Sequence, residues 1–219
     1  MPRFEGGSTR YSRHSRVRPR PPVRDQLVTF LFAGHETTSL ALTYALGHHP
    51  ETRRRLRREV DSVTGGGPPS LSDLPELTYA ERVLTETLRL YPPAYALFRQ
   101  ATETVEIGGY RVPEGSKLTI PQIHIHRDGR FYDDPETFRP DRWTDALEEA
   151  LPDYAYFPFG GGPRHCIGMR FATMELKLVL PTIVSAVDLD PIGSSDLTFD
   201  TGITLHPADP IEAVVGNRS

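Results

Sequence analysis

Proline, more than any other residue here, dictates where regular structure can lie. The chain has 21 prolines in 219 residues, nearly twice ordinary usage, beside an ordinary 18 glycines. A proline lacks the backbone N–H and clashes in a helix interior, so this load argues against a plain helical bundle. It argues for helices joined by structured, turn-rich segments. Pro50 can open a helix, Pro92-Pro93 must stop one, and Pro181 should kink or shorten another.

Four helices fit between these marks. Asp25 can cap a first helix through Leu27, Phe30 and Ala33 to about Leu46. Glu51 to Val63 reads as a basic helix, with Arg53, Arg54, Arg57 and Arg58 facing solvent and Leu56 and Val60 facing inward. About Pro75 to Leu90 is a third, on Leu77, Val83, Leu84, Leu88 and Leu90. The last runs from Ile167 to about Val187, with Met169, Ala172, Leu176, Val179, Leu180 and Ile183 on one side. Between them the period shortens towards two: Val105 to Ile107, Tyr110 to Val112 and Ser116 to Ile120 predict short strands, with Gly108-Gly109 and Pro113-Glu114-Gly115 as turns. Leu197 to Leu205 and Ile211 to Val215 predict two weaker ones. Residues 126–165 show little periodicity, and a loop of that length in a compact domain is usually functional. The fold class is mainly α with small β-sheets (α+β), and there are no internal repeats.

Charge divides the chain. Residues 1–24 hold seven arginines against Glu5, a balance of +6, which leaves −10 on the rest. Without periodicity, and with Pro19, Pro21 and Pro22, they read as a basic, disordered arm or a misassigned start. Residues 25–219 form the folded part, whose acidity does not suit a nucleic-acid partner. No apolar run approaches the ~20 residues of a membrane span, so a soluble, cytoplasmic protein is expected. A single cysteine excludes an internal disulfide and any zinc or iron–sulfur site built from cysteines. His124 and His126, on one face of a strand, and the His48-His49 pair lack a third ligand and read as structural.

The one thiol lies in Phe159-Gly160-Gly161-Gly162-Pro163-Arg164-His165-Cys166-Ile167-Gly168. Cys166 stands just before a helix N-terminus, where the dipole and free N–H groups stabilise a thiolate. The glycines let backbone approach something flat, and Arg164 adds a cation. A lone cysteine is more often a buried hydrophobe. A phosphate loop is the other rival, but its Gly-Lys-Ser/Thr ending is absent.

This segment resembles the haem-binding loop of the cytochrome P450 family, Phe-x-x-Gly-x-Arg-x-Cys-x-Gly. Phe159, Gly162, Arg164, Cys166 and Gly168 meet all five fixed positions. Chance would produce such a match in roughly one chain of this length in ten thousand or fewer. Three further motifs follow the family's order. Ala33-Gly34-His35-Glu36-Thr37-Thr38 resembles its oxygen-binding segment: Ala33 and Gly34 leave room over the iron, Thr37 offers a hydroxyl and Glu36 a proton path. Glu86 and Arg89, one helical turn apart, resemble its Glu-x-x-Arg pair. Arg142, in Phe138-Arg139-Pro140-Asp141-Arg142-Trp143, matches the arginine that completes a structural triad. Arg99 matches a position that pairs with a haem propionate, as Arg164 would.

The resemblance implies the C-terminal portion of the cytochrome P450 fold, haem b (iron protoporphyrin IX) as cofactor and Cys166 as axial iron ligand. It implies monooxygenation of a small organic substrate, with electrons from NAD(P)H through a ferredoxin- or flavin-type partner. The match runs from about Asp25 to the C-terminus, about half of a family member, and the first helix stops about one turn short of the family's at Leu46-Gly47. The expectation is therefore an N-terminally truncated member. Its alternative function is that of a non-catalytic fragment that at most binds haem.

Overall fold

A computed structural model describes residues 23–46, 49–192 and 197–217. The first helix, α1 (Val23–Leu46), is followed by α2 (Pro50–Thr64) and α3 (Thr78–Leu90). Pro50 opens α2, and Gly65 closes it in the left-handed region at φ 66° with its N–H on the Asp61 carbonyl. Asp25 lies inside the first turn of α1 and does not cap it. No side chain of α3's own entry caps that helix. Glu59 reaches across from α2 instead, accepting from the N–H groups of Tyr79 (2.5 Å) and Ala80 (2.8 Å) and so satisfying two orphan donors.

After α3 come strands β1 (Leu97–Gln100), β2 (Val105–Ile107), β3 (Tyr110–Val112) and β4 (Lys117–Ile120), paired β1 with β4 and β2 with β3, both antiparallel. The two glycines at 108–109 have φ 57° and 82°, which a two-residue hairpin turn requires. β1 has no counterpart in the periodicity, because four residues between a proline-rich turn and a loop are too short to show alternation. A single helical turn, α4 (Gln122–Ile125), follows Pro121. That turn overturns the strand reading of His124 and His126: two residues apart on a helix they point different ways, and His124 is exposed while His126 is buried.

The segment 126–165 runs irregularly around α3, with one short helix, α5 (Asp145–Ala150), capped by Thr144. The last helix, α6 (Met169–Ala186), passes through Pro181 without ending there. The pyrrolidine ring is buried, and Leu176, Leu180 and Val184 hold the helix to the core on either side. The chain closes with four strands where two were expected: β5 (Val187–Ile192) pairs with β8 (Glu212–Asn217), and β6 (Phe199–Thr201) with β7 (Leu205–Pro207).

Ala41 and Ala45 from α1, Leu56 and Val60 from α2, Val83 and Leu84 from α3, and Leu180 from α6 make one core. Small residues on α1 let the helices approach closely. Of the four α2 arginines expected to face solvent, two leave that expectation. Arg53 donates to the Leu46 carbonyl (3.1 Å); Arg57 donates to Val187 O (3.0 Å), to Val184 O (3.3 Å), and pairs with Asp188. They satisfy carbonyls at the C-terminal ends of α1 and α6.

Candidate active site around Cys166

The loop before α6 is folded on its own backbone. Gly160 N–H donates to Phe157 O (2.8 Å), and Cys166 N–H to Phe159 O (2.8 Å). A 3₁₀ turn, Gly162–Arg164, lies between. Gly160 and Gly162 sit at φ 75° and 66°, where a side chain would be strained. Gly161 is needed for another reason: a Cβ there would overlap the ring of Tyr154. Gly168 is the N-cap of α6, so Cys166 stands just ahead of that helix, with its thiol exposed. Phe159 is half-buried against the core. The loop thus fixes its inner side in the protein and turns its sulfur outward.

Below it lies a buried cluster that brings together Glu86, Arg89 and Arg142. Arg89 donates to Glu86 from two nitrogens at 2.9 Å, and Arg142 Nε donates to Glu86 Oε1 at 2.9 Å. Trp143 Nε1 (2.9 Å) and the Arg139 backbone N–H (2.8 Å) complete the carboxylate's partners. The guanidinium groups reach on to main-chain carbonyls: Arg89 to His126 (2.8 Å) and Pro135 (2.7 Å), Arg142 to Asp133 (2.6 Å) and Asp134 (3.0 Å). Every charge here is paired, which its burial demands. Tyr132, buried beneath Arg89, has its phenol pushed up to about 12, chiefly by burial.

A second support joins this cluster to the loop. His126 Nε2 accepts the Phe157 N–H (2.9 Å), and the Gln122 side-chain amide donates to the Phe157 carbonyl. Both polar groups of Phe157 are therefore held by side chains of one short helical turn, two residues before Phe159. Nothing local in the sequence marks Gln122 for this role.

On α1, Ala33 and Gly34 are exposed, and a Cβ on Gly34 would meet nothing within 4 Å. The Thr37 hydroxyl donates to the Ala33 carbonyl (2.7 Å) of its own helix. Glu36 faces the β6–β7 hairpin: Thr204 Oγ1 lies 2.7 Å and His206 Nε2 3.0 Å from its Oε1. Thr38, buried, donates to Glu175 of α6 (3.4 Å), which ties this stretch of α1 to the helix that follows the cysteine loop.

Arg99 lies on β1, with one N–H on the Phe98 carbonyl (2.9 Å). A Cβ on Gly160 would meet Leu97 at 3.6 Å, so β1 lies against the cysteine loop, and Arg99 shares Leu97's face of the strand. Arg164 is exposed and, among the described residues, its guanidinium has no hydrogen-bonded partner. An open thiol, an uncrowded helix segment with Ala33 and Gly34, and two under-used guanidiniums fit a flat iron porphyrin with two carboxylates. His49 stacks on Phe138, ring centroids 4.0 Å apart, while His48 lies outside the described residues. Among the described residues no group of three His, Cys, Asp or Glu could hold a bare metal ion, and no helix is long and apolar enough to cross a membrane.

A family model for cytochrome P450 matches residues 21–212. Human cytochrome P450 3A5 is 39% identical over 199 residues, which is 88% of this chain and 39% of the relative. Cyclooctatin synthase from Streptomyces melanosporofaciens is 43% identical over 173 residues, 78% of this chain and 38% of that protein. Mouse cytochrome P450 4V2 is 41% identical over 167 residues, 74% and 32% of the two chains. The chain therefore spans between about a third and two-fifths of the length of these relatives. With the fold class, the cysteine loop and the family match in agreement, the chain belongs to the cytochrome P450 family, whose members work with haem.

Proposed function

We propose that this chain forms the haem-binding portion of a monooxygenase, whose described part starts with α1 at Val23, two residues before the Asp25 boundary that the sequence suggests. Cys166 would ligate the iron, Arg99 and Arg164 the propionates, and Phe159, Gly162 and Gly168 shape the loop. Bound haem supplies the oxygen chemistry: one atom of dioxygen enters a small organic substrate and the other leaves as water, with electrons from NAD(P)H through a ferredoxin- or flavin-type donor. The protein's own part is positional. Glu86, Arg89 and Arg142 hold the loop; Thr37 offers a hydroxyl beside Ala33 and Gly34; Glu36 holds and passes a proton.

The observation that carries this reading is the loop itself, which fastens the Cys166 amide to Phe159 while leaving the thiol open. The test is the spectrum of the haem-loaded chain, reduced and exposed to carbon monoxide. Wild type should give the red-shifted Soret band of a thiolate ligand, and Cys166→Ala should lose it; an unchanged band would remove Cys166 from the iron.

A second reading, haem binding without turnover, draws on the exposure of Phe30, Leu31 and Phe32 (56%, 70% and 70%) next to Ala33. A site open to water on that side does not isolate reactive oxygen species from solvent. Product formation set against peroxide release by the haem-loaded chain separates the two.

A further inference from the structure

Glu36, Thr204 and His206 form a closed triangle, although they come from opposite ends of the chain. Thr204 Oγ1 is 2.7 Å from Glu36 Oε1 and 2.6 Å from His206 Nε2, and His206 Nε2 is 3.0 Å from Glu36 Oε1. The hydroxyl has one proton to give. With Glu36 ionised and Nε2 bare, that proton would have to serve all three contacts, and two lone pairs would face each other at close range. The geometry is satisfied only when a second proton resides in the triangle, on His206 Nε2 or on Glu36 Oε1.

The position of the triangle is fixed from both sides. Leu205 N–H donates to Pro93 O (2.8 Å), and Tyr44 Oη donates to Leu205 O (2.9 Å). Tyr95 Oη donates to Gly202 O (3.1 Å). Thr204 therefore lies between two bolted residues. The His206 and Glu36 side chains keep 43% and 46% of their exposure, so water reaches both. Other ionisable groups on the elements packed there include Asp200, opposite His206 in the hairpin register, Asp209, Tyr44, Tyr91, Tyr95, His35, Asp25 and Glu175. None of them is hydrogen-bonded to the triangle among the described residues.

We infer that His206 is a positioning residue that, with Thr204, holds Glu36 and recharges it with protons from solvent. The inference rests on the reading of Glu36 as the proton-passing group of the oxygen side. In the step, the imidazole takes a proton on Nδ1 from a hydronium ion of the solvent, leaving water, as its Nε2–H passes to the ionised Glu36 Oε1. One O–H breaks as the Nδ1–H forms, and the Nε2–H breaks as an O–H forms on Glu36, with no change of oxidation state.

The test uses the full 219-residue chain, labelled with ¹³C and ¹⁵N. In wild type, one slowly exchanging proton should correlate with both the Glu36 carboxyl carbon and His206 Nε2, as the closed triangle requires. His206→Gln, which keeps an amide donor in the same place, should lose that correlation. A wild-type spectrum without it overturns the inference. The haem-loaded chain, reduced with dithionite and mixed with oxygen, gives the second readout. Glu36→Gln and His206→Gln should both slow proton-dependent reoxidation by at least about tenfold. A slow Glu36→Gln beside an unaffected His206→Gln overturns the role of His206 and leaves Glu36 its own. An unaffected Glu36→Gln overturns the oxygen-side reading and the relay with it, whatever the proton correlation shows.

Discussion

The imidazole of His126 accepts a hydrogen bond from the backbone N–H of Phe157, 2.9 Å away and 31 residues on, and the ring is fully buried. An imidazolium has no lone pair to accept with, so the bond exists only while His126 is neutral. Burial, reinforced by the nearby charge of Arg89, lowers its pKa to about 4 from an ordinary 6.5.

The consequence is a dependence of stability on acid. The unfolded chain takes up a proton near pH 6.5, while the folded chain resists until about 4. Stability from this residue is complete above pH 6.5 and falls as the pH drops to 4, by roughly 3 kcal/mol in all. Urea unfolding at pH 7, 6, 5 and 4 should show the loss, and His126→Gln, which accepts but does not titrate in this range, should show a shallower one. Equal slopes in both proteins would assign the acid sensitivity elsewhere.

Glu86 is the least replaceable side chain of the scaffold. Glu86→Gln would leave Arg89 and Arg142 buried with their shared anion gone, a cost of about 3–5 kcal/mol. The expected result is a chain that fails to accumulate folded or takes up no haem, read by circular dichroism and Soret absorbance. A folded Glu86→Gln protein with normal haem uptake would contradict it.

Gly161 should tolerate no side chain while Tyr154 is present. Its φ of −148° is open to any residue, so the obstacle is the Tyr154 ring alone. Gly161→Ala should cost about 1–3 kcal/mol, and Tyr154→Ala in the same chain should recover most of it. Thermal melts of the two single variants and the double variant form the cycle, and additive losses would exclude the collision.

The α2 arginines should separate in an alanine scan. Arg54, exposed and paired within its own helix with Glu51, should change stability by less than about 0.5 kcal/mol. Arg57, which joins two carbonyls and Asp188, should cost about 1–2 kcal/mol, with denaturant midpoints as the measure.

Much of this protein was legible in the order of its residues. Proline and glycine placed both ends of α2, the C-terminal end of α3 and the β2–β3 hairpin, because those residues act through their own backbone, whereas α3 starts at Thr78, three residues after Pro75. The spacing of Phe159, Gly162, Arg164, Cys166 and Gly168 marked the loop, since left-handed glycines and a thiol ahead of a helix are local requirements. Pro181 does not end α6 for the complementary reason: the penalty is local, but packing by Leu176, Leu180 and Val184 outweighs it.

Tertiary structure alone decided the partnerships. His206 meets Glu36 across 170 positions, Glu59 caps a helix other than its own, and Gln122 and His126 hold Phe157, because a hydrogen bond needs proximity in space and leaves no period or motif in the chain. The sequence by itself determined which local backbone shapes were possible and which chemistry the single thiol could offer. The fold decided which charges would be buried and paired, because desolvation acts on a side chain's final surroundings and not on its neighbours in sequence.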